Sequence, residues 1–350
     1  MIGPKKILRL RDWFGHLSYA WKATERDLIA SGLNTRSAKT LIENRNKINL
    51  HNELEKIAKA DAWIVTLSDN DYPPLLKELD EAPAVLYVRG TLQAQDNLAI
   101  SVVGTRKATK YGRDVAFDLS QKLASQNITI ISGLAQGIDG TAHKGALAGK
   151  GRTLAILGCG VDTIYPRQNT DLANAIINQG ALISEFPIGT QPIGTNFPRR
   201  NRILSGMALG VLVVEAPEGS GALITASLAA EQGREVFAVP ANIYNPMGHG
   251  TNRLIQDGAK LVTNISDILD ELNLAYERVE TRVKTVEIIP ANDLEQKLLD
   301  ILGVDPIHID ELVRLSDLPI AEVSSTLTIL ELKGLVNSLN NMHYQKSQLV

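Results

Sequence analysis

The sequence predicts an α/β fold, a doubly wound and mostly parallel sheet covered by helices, with a smaller domain at each end. Three observations carry that prediction. Between about 97 and 272, short β-branched runs alternate with longer amphipathic stretches, the pattern of parallel strands joined by helical crossovers. The runs are predominantly apolar and read as buried strands. Glycine-bearing turns follow several of them, where the chain passes from strand to helix.

The candidate strands in order are LAISVV (98–103), ITII (128–131), TLAIL (153–157), ALIS (181–184), GVLVV (210–214) and EVFAV (235–239). Six such strands with helical crossovers make a Rossmann-like sheet, whose ligands bind at the C-terminal strand ends near the switch in strand order. Before them, 62–90 holds two further apolar runs, WIV and VLYV, which are either edge strands or a docked connector. The domains expected are therefore a helical 1–60, an extended Rossmann-like 61–275, a polar linker 276–292 and a winged-helix-like 293–350. The first is of SAM or helix-hairpin-helix type, read as a packing module because no hairpin glycine pair is present. The last has three helical stretches followed by a short polar hairpin.

Composition is that of an ordinary globular chain, with 44% hydrophobic and 21% charged residues and a formal net charge of -3. No stretch is apolar enough to span a bilayer and no secretion signal opens the chain, so a cytoplasmic location is expected. The lone cysteine, Cys159, excludes an internal disulfide. Charge is uneven: residues 1–60 carry 12 Lys plus Arg against 6 Asp plus Glu, and 276–350 carry 7 against 12. The would-be recognition helix at 320–333 holds Glu322 and Glu331 against Lys333, a poor surface for a phosphate backbone.

The strongest ligand clue is FPRRNR at 197–202, three arginines and an aromatic between two strand-turn-helix segments. Guanidinium forks grip phosphate oxygens in pairs, and free amides at a helix start point donors at an anion. If a helix starts near Pro198, Arg199 and Arg202 share a face and Arg200 diverges, so Arg199 and Arg202 are expected to enter the crevice and Arg200 to matter least. Phe197 offers a ring for base stacking. After the first strand come Gly104, Thr105, Arg106 and Lys107; after the second, Ser132 and Gly133, then Lys144 in the following helix. Ser220, Gly221 and Thr225 open another helix, and Asn201 completes the set. This is not the G-x-G-x-x-G fingerprint, and Ser132 and Gly133 stand where a nicotinamide sheet places an acid, so no cofactor is expected.

The bland readings are set beside these. Asp139 is a first-turn residue favoured by the helix dipole, and His143 has no partner at metal-ligand spacing, so no metal is expected. Cys159 is a small buried residue rather than a nucleophile. Glu185 and Glu215 end two strands and either do acid and base work or orient the arginines of 197–202, the second being favoured. The alternative function is hydrolysis of a nucleoside phosphate through one of those glutamates.

Ten segments in order resemble the DprA/Smf family of DNA-processing proteins: YPPLL (72–76), APAVLYVRG (82–90), VVGTRKATKYG (102–112), ISGLAQGIDGTAHKGAL (131–147), YP (165–166), ISEFP (183–187), FPRRNRILSG (197–206), VVEAPEGSGALITA (213–226), GREVFAVP (233–240) and GTNRLIQDGA (250–259). The resemblance implies a core that binds single-stranded DNA, dimerises and helps load the RecA recombinase during natural transformation, with no catalytic reaction and no membrane. It implies that Arg106, Phe197, Arg199 and Arg202 bind the strand and that Gly104, Ser132 and Gly133 contact it through backbone. Ala222 departs from the expected serine, which removes a hydroxyl there.

Overall fold

Nine strands form one sheet in a computed structural model that describes residues 3–274, 293–303, 305–333, 335–339 and 342–346. The strands are β1 (Trp63–Thr66), β2 (Val85–Gly90), β3 (Ala99–Val103), β4 (Thr129–Ser132), β5 (Thr153–Ile156), β6 (Ala181–Ser184), β7 (Gly210–Val213), β8 (Glu235–Ala238) and β9 (Lys260–Leu261). Their order is β1-β2-β6-β5-β4-β3-β7-β8-β9. From β6 across to β9 every pairing is parallel, whereas β1 and β2 add antiparallel at one edge. The six expected strands are all present, and the runs WIV and VLYV are edge strands. The two-residue β9 is too short and too exposed to leave a sequence signal.

Alternation along each strand sorts side chains to two cores. In β3, Ala99 and Val103 pack with Val211 and Val213 on one face, while Ile100 and Val102 pack with Leu119, Leu123 and Leu212 on the other. Capping sets the helix starts. The Thr109 hydroxyl accepts from the Gly112 amide at 3.1 Å and opens the Lys110–Ser125 helix; Ser220 opens Gly221–Glu231 by accepting from Ala222. The chain winds from β3 outward through β4, β5 and β6, then returns to the other side of β3 as β7. The switch in strand order therefore lies between β3 and β7.

The chain divides into two compact units, Met1–Tyr276 and Glu277–Val350. Five helices open the first unit (Pro4–Phe14, Leu17–Lys22, Glu25–Ala30, Thr35–Arg45 and Leu50–Lys59), around a small core of Leu10, Ala20, Leu28, Leu33 and Ala38. In the second unit the helices Asp293–Ile301, Ile309–Ser316 and Ile320–Leu332 pack Leu298, Leu312, Val323, Leu327 and Leu330 together. A three-stranded antiparallel wing of Ile307–His308, Val336–Leu339 and His343–Lys346 completes a winged helix. The linker expected at 276–292 falls outside the described residues. Among those described, no helix is long and apolar enough to cross a membrane.

Candidate nucleic-acid interface

At the switch point the loops after β3 and β7 are tied to each other before they part. The Thr105 amide donates to the Glu215 carbonyl at 2.7 Å, and the Glu215 carboxylate accepts from the Thr109 amide and hydroxyl, each at 2.8 Å. Glu215 is buried, and a Cβ at Gly112 would fall 2.9 Å from its carboxyl carbon, so glycine is needed there. This Glu215 does not orient the arginines of 197–202; it clamps Thr109. Glu185 does orient one of them, by an ion pair with Arg202. Both carboxylates proposed for hydrolytic work are thus engaged.

Beyond the clamp a crevice of about 710 Å³ opens between the two loops. Gly104, Thr105 and Arg106 line one wall, Ser220, Gly221 and Thr225 the other, and Phe197, Arg200 and Asn201 of the Asn196–Gly206 helix lie between them. A second hollow of about 410 Å³ shares Arg106, Tyr165, Phe197 and Arg200 with it and adds Gly133. The exposed Arg106 guanidinium sits 5.4 Å from the centre of the Phe197 ring, and Tyr165 lies 5.8 Å beyond that ring at a tilt of 38°. A Cβ at Gly158 would come within 2.9 Å of Phe197, which explains the glycine after β5. Cation, aromatic and helix N-terminus converge on one cleft, the chemistry that holds phosphate and stacks bases.

Arg200 forms the floor. Only 5% exposed, it donates to the carbonyls of Gly133, at 2.9 Å, and Ile156. A Cβ at Gly133 would meet both guanidinium nitrogens at 2.5 Å, so that turn is glycine because arginine lies on it. Buried Asp139 faces the same group. Burial pushes the Asp139 carboxyl up, against the pull of Arg200 and of backbone hydrogen bonds at Ala135 and Gly133. Behind them His143 is fully buried, with Nδ1 2.6 Å from the Thr153 hydroxyl; burial first, and Arg200 second, depress it to about 3. Cys159 is buried too, its thiol pushed up to about 11 by burial and donating to the Thr163 carbonyl at 3.1 Å, the opposite of an activated nucleophile.

The split among the arginines is as the helical spacing requires, but the sides are exchanged. Arg200 lines the crevice; Arg199 and Arg202 do not. Arg202, paired with Glu185, also donates to the Glu81 carbonyl at 2.8 Å, and the exposed Arg199 lies 5.4 Å from the Phe186 ring. They border a neighbouring hollow of about 510 Å³ with Lys5 and Lys6. The cause is position: a face pointing at strand ends must lie toward β4 and β5, and residue spacing alone gives no direction. Ser132 is also displaced from the expected set. It is fully buried, and its hydroxyl donates to the Val102 carbonyl at 2.6 Å. Lys107 and Lys144 are exposed but line neither part of the cleft. Sequence reasoning missed Tyr165 and the burial of Asp139 within the field of Arg200; the YP pair at 165–166 was the only available signal for the first. Among the described residues no cluster of three or more His, Cys, Asp or Glu could hold a metal.

Residues 63–273 match the family described as DNA recombination-mediator protein A, and 284–341 match the DprA winged helix domain. The chain is 36% identical to Protein Smf of Synechocystis over 99% of its own length and 96% of that protein's. It is 38% identical to Protein Smf of Escherichia coli, over 94% and 88% respectively. The solved DNA processing protein A of Streptococcus pneumoniae superposes with a TM-score of 0.70 at 35% identity, covering 77% of this chain and 93% of that one. The Helicobacter pylori protein, studied for its single-stranded DNA binding mode, superposes with a TM-score of 0.56 at 29% identity, covering 62% and 99%.

Proposed function

The chain belongs to the DNA recombination-mediator protein A family, and from that premise we propose that it binds single-stranded DNA in the switch-point cleft and helps load the RecA recombinase during DNA uptake. The observation that carries the reading is the run of Arg106, Phe197 and Tyr165 across the cleft mouth, over a floor made cationic by Arg200. Bases stack on aromatic rings in a sequence-tolerant way, while the guanidinium and the Gly221 amide at the helix start take phosphates. Among the residues expected at the strand, Gly104, Thr105, Arg106, Phe197, Asn201, Ser220, Gly221 and Thr225 are retained. Arg200 joins them, and Arg199 and Arg202 act outside the cleft.

We assign strand binding to 61–275 and a protein-contact role to the acidic 293–350. The protein acts in the cytoplasm as a homodimer and carries out no chemical step itself. The family's description as a recombination mediator supports a recombinase partner. Gel-shift titration of single-stranded against duplex oligonucleotides over a salt series tests the reading. Single strands bind more tightly, and affinity falls with salt as phosphate contacts release counterions. Equal affinity for both forms would remove the stacking argument.

A further inference from the structure

Three hollows on the first unit share rims. Pro198 borders both the switch-point crevice and the hollow that holds Arg199. Lys5 borders both that hollow and a third, of about 720 Å³, between the Pro4–Phe14 helix and the turn at Ser31 and Gly32. A continuous path thus runs from the crevice over Pro198, past Arg199 and Lys6, across Lys5, and on to Arg9 and Trp13.

The far end of this path repeats the ingredients of the crevice. Trp13 is 61% exposed, a large ring left uncovered beside two cations. Arg9 is placed rather than waving: its guanidinium lies on Gly32, within 3.5 Å of the carbonyl. Gly32 has φ +93, and a Cβ there would fall 2.5 Å from the Arg9 guanidinium carbon. Acids are present and set the limits of the attraction. Glu81 pairs with Lys5 at 3.5 Å, with both side chains more than half exposed, and Asp12 takes Arg11 at 3.0 Å. Such exposed pairs are weak and exchange readily for phosphate. Asp80, also exposed, lines the third hollow and opposes a polyanion.

We propose that the first helix is a second station for the same DNA strand, which leaves the cleft over Pro198 and is held by Lys5 and Arg9 with a base on Trp13. The proposal rests on the cleft binding single-stranded DNA. It assigns the positive N-terminal helices to the track of a longer strand and makes affinity depend on strand length.

Oligothymidylates of about 5 and about 20 nucleotides separate the two stations. The double variant Lys5→Ala, Arg9→Ala weakens the long strand about tenfold at low salt and makes its log-log salt slope shallower by about 1.4, two phosphate contacts at 0.7 each. It leaves the short strand unchanged. Asp80→Asn tightens the long strand alone. Trp13 emission, read as the difference between the natural chain and Trp13→Phe, is quenched by the long strand and not by the short. Equal loss on both lengths, no loss on the long strand, or an unquenched Trp13 overturns the second station while leaving the cleft reading intact. Failure of the natural chain to bind either length overturns both.

Discussion

The switch-point cleft and the C-terminal winged helix each present a helix where a polyanion could meet it, and they place charge in opposite ways. In the cleft, Arg200 and Asp139 are buried under the mouth, while Arg106 and the acid Glu218 stand out at its rim. In the winged helix the charges of Ile320–Leu332, Glu322 and Glu331, are on the surface and acidic. The lesson is that a motif match to a DNA-binding shape says less than the sign and depth of its charges. A buried cation shapes the floor, an exposed cation meets the ligand, and an exposed acid turns nucleic acid away.

The largest effect should come from breaking the buried floor. Arg200→Ala leaves the buried Gly133 and Ile156 carbonyls without their donor and removes the stronger of the two cations acting on Asp139, and should lower unfolding stability by about 3 kcal/mol or more in urea titration. Adding Asp139→Ala should restore part of that loss. A single-variant loss no larger than that of a surface substitution would show the floor to be no more structural than the winged-helix surface.

Acid should act through His143 in the same buried layer. Its folded value of about 3 lies below the ordinary 6.5. The unfolded chain therefore binds the proton first as pH drops, so this contribution is present above about 6.5 and is lost on the way to about 3. Between neutral pH and about 4.5, His143→Asn should flatten the fall in stability by about 2 to 3 kcal/mol relative to the natural chain. The difference between the two chains isolates His143 from Asp139, whose raised carboxyl acts in the opposite sense as pH falls. Parallel curves for the two would count against it.

Arg106→Ala with Phe197→Ala should cost less stability than Arg200→Ala and weaken a short single strand by about tenfold to a hundredfold in fluorescence anisotropy, the range of one stacked base with a cation over it. The smallest effect should be in the other region. Glu322→Gln should change strand affinity less than about twofold, since exposed changes away from a site are nearly neutral. A large gain from Glu322→Gln would mean that the winged helix touches the strand and would erase the contrast.

Much of this was legible in the sequence because burial on both faces of a parallel strand favours short, mostly apolar runs, and six of those runs stand in plain view. The winged helix was legible as three helical stretches followed by a short polar hairpin. At the cleft, Gly104, Arg106, Phe197 and Ser220 were legible because strand ends and helix starts demand their types. Arg200 was not. Spacing separated it from Arg199 and Arg202, yet which side looks toward β4 and β5 depends on how the helix is set down, a tertiary fact. Glu215 was misassigned because its partner, Thr109, is 106 residues away. Tyr165 gave no periodic signal at all, since it lies on a loop.

The clamp of Glu215 on Thr109, together with the Thr105 amide, has a thermodynamic consequence. It joins the two walls before any ligand arrives, so the protein loses little freedom on binding and the ordering cost falls on the DNA. Association should then be fast and nearly insensitive to protein motion, with differences among variants carried in the rate of release. Cutting the clamp with Glu215→Ala would move part of that ordering onto the protein, appearing as a slower approach and a less favourable binding entropy.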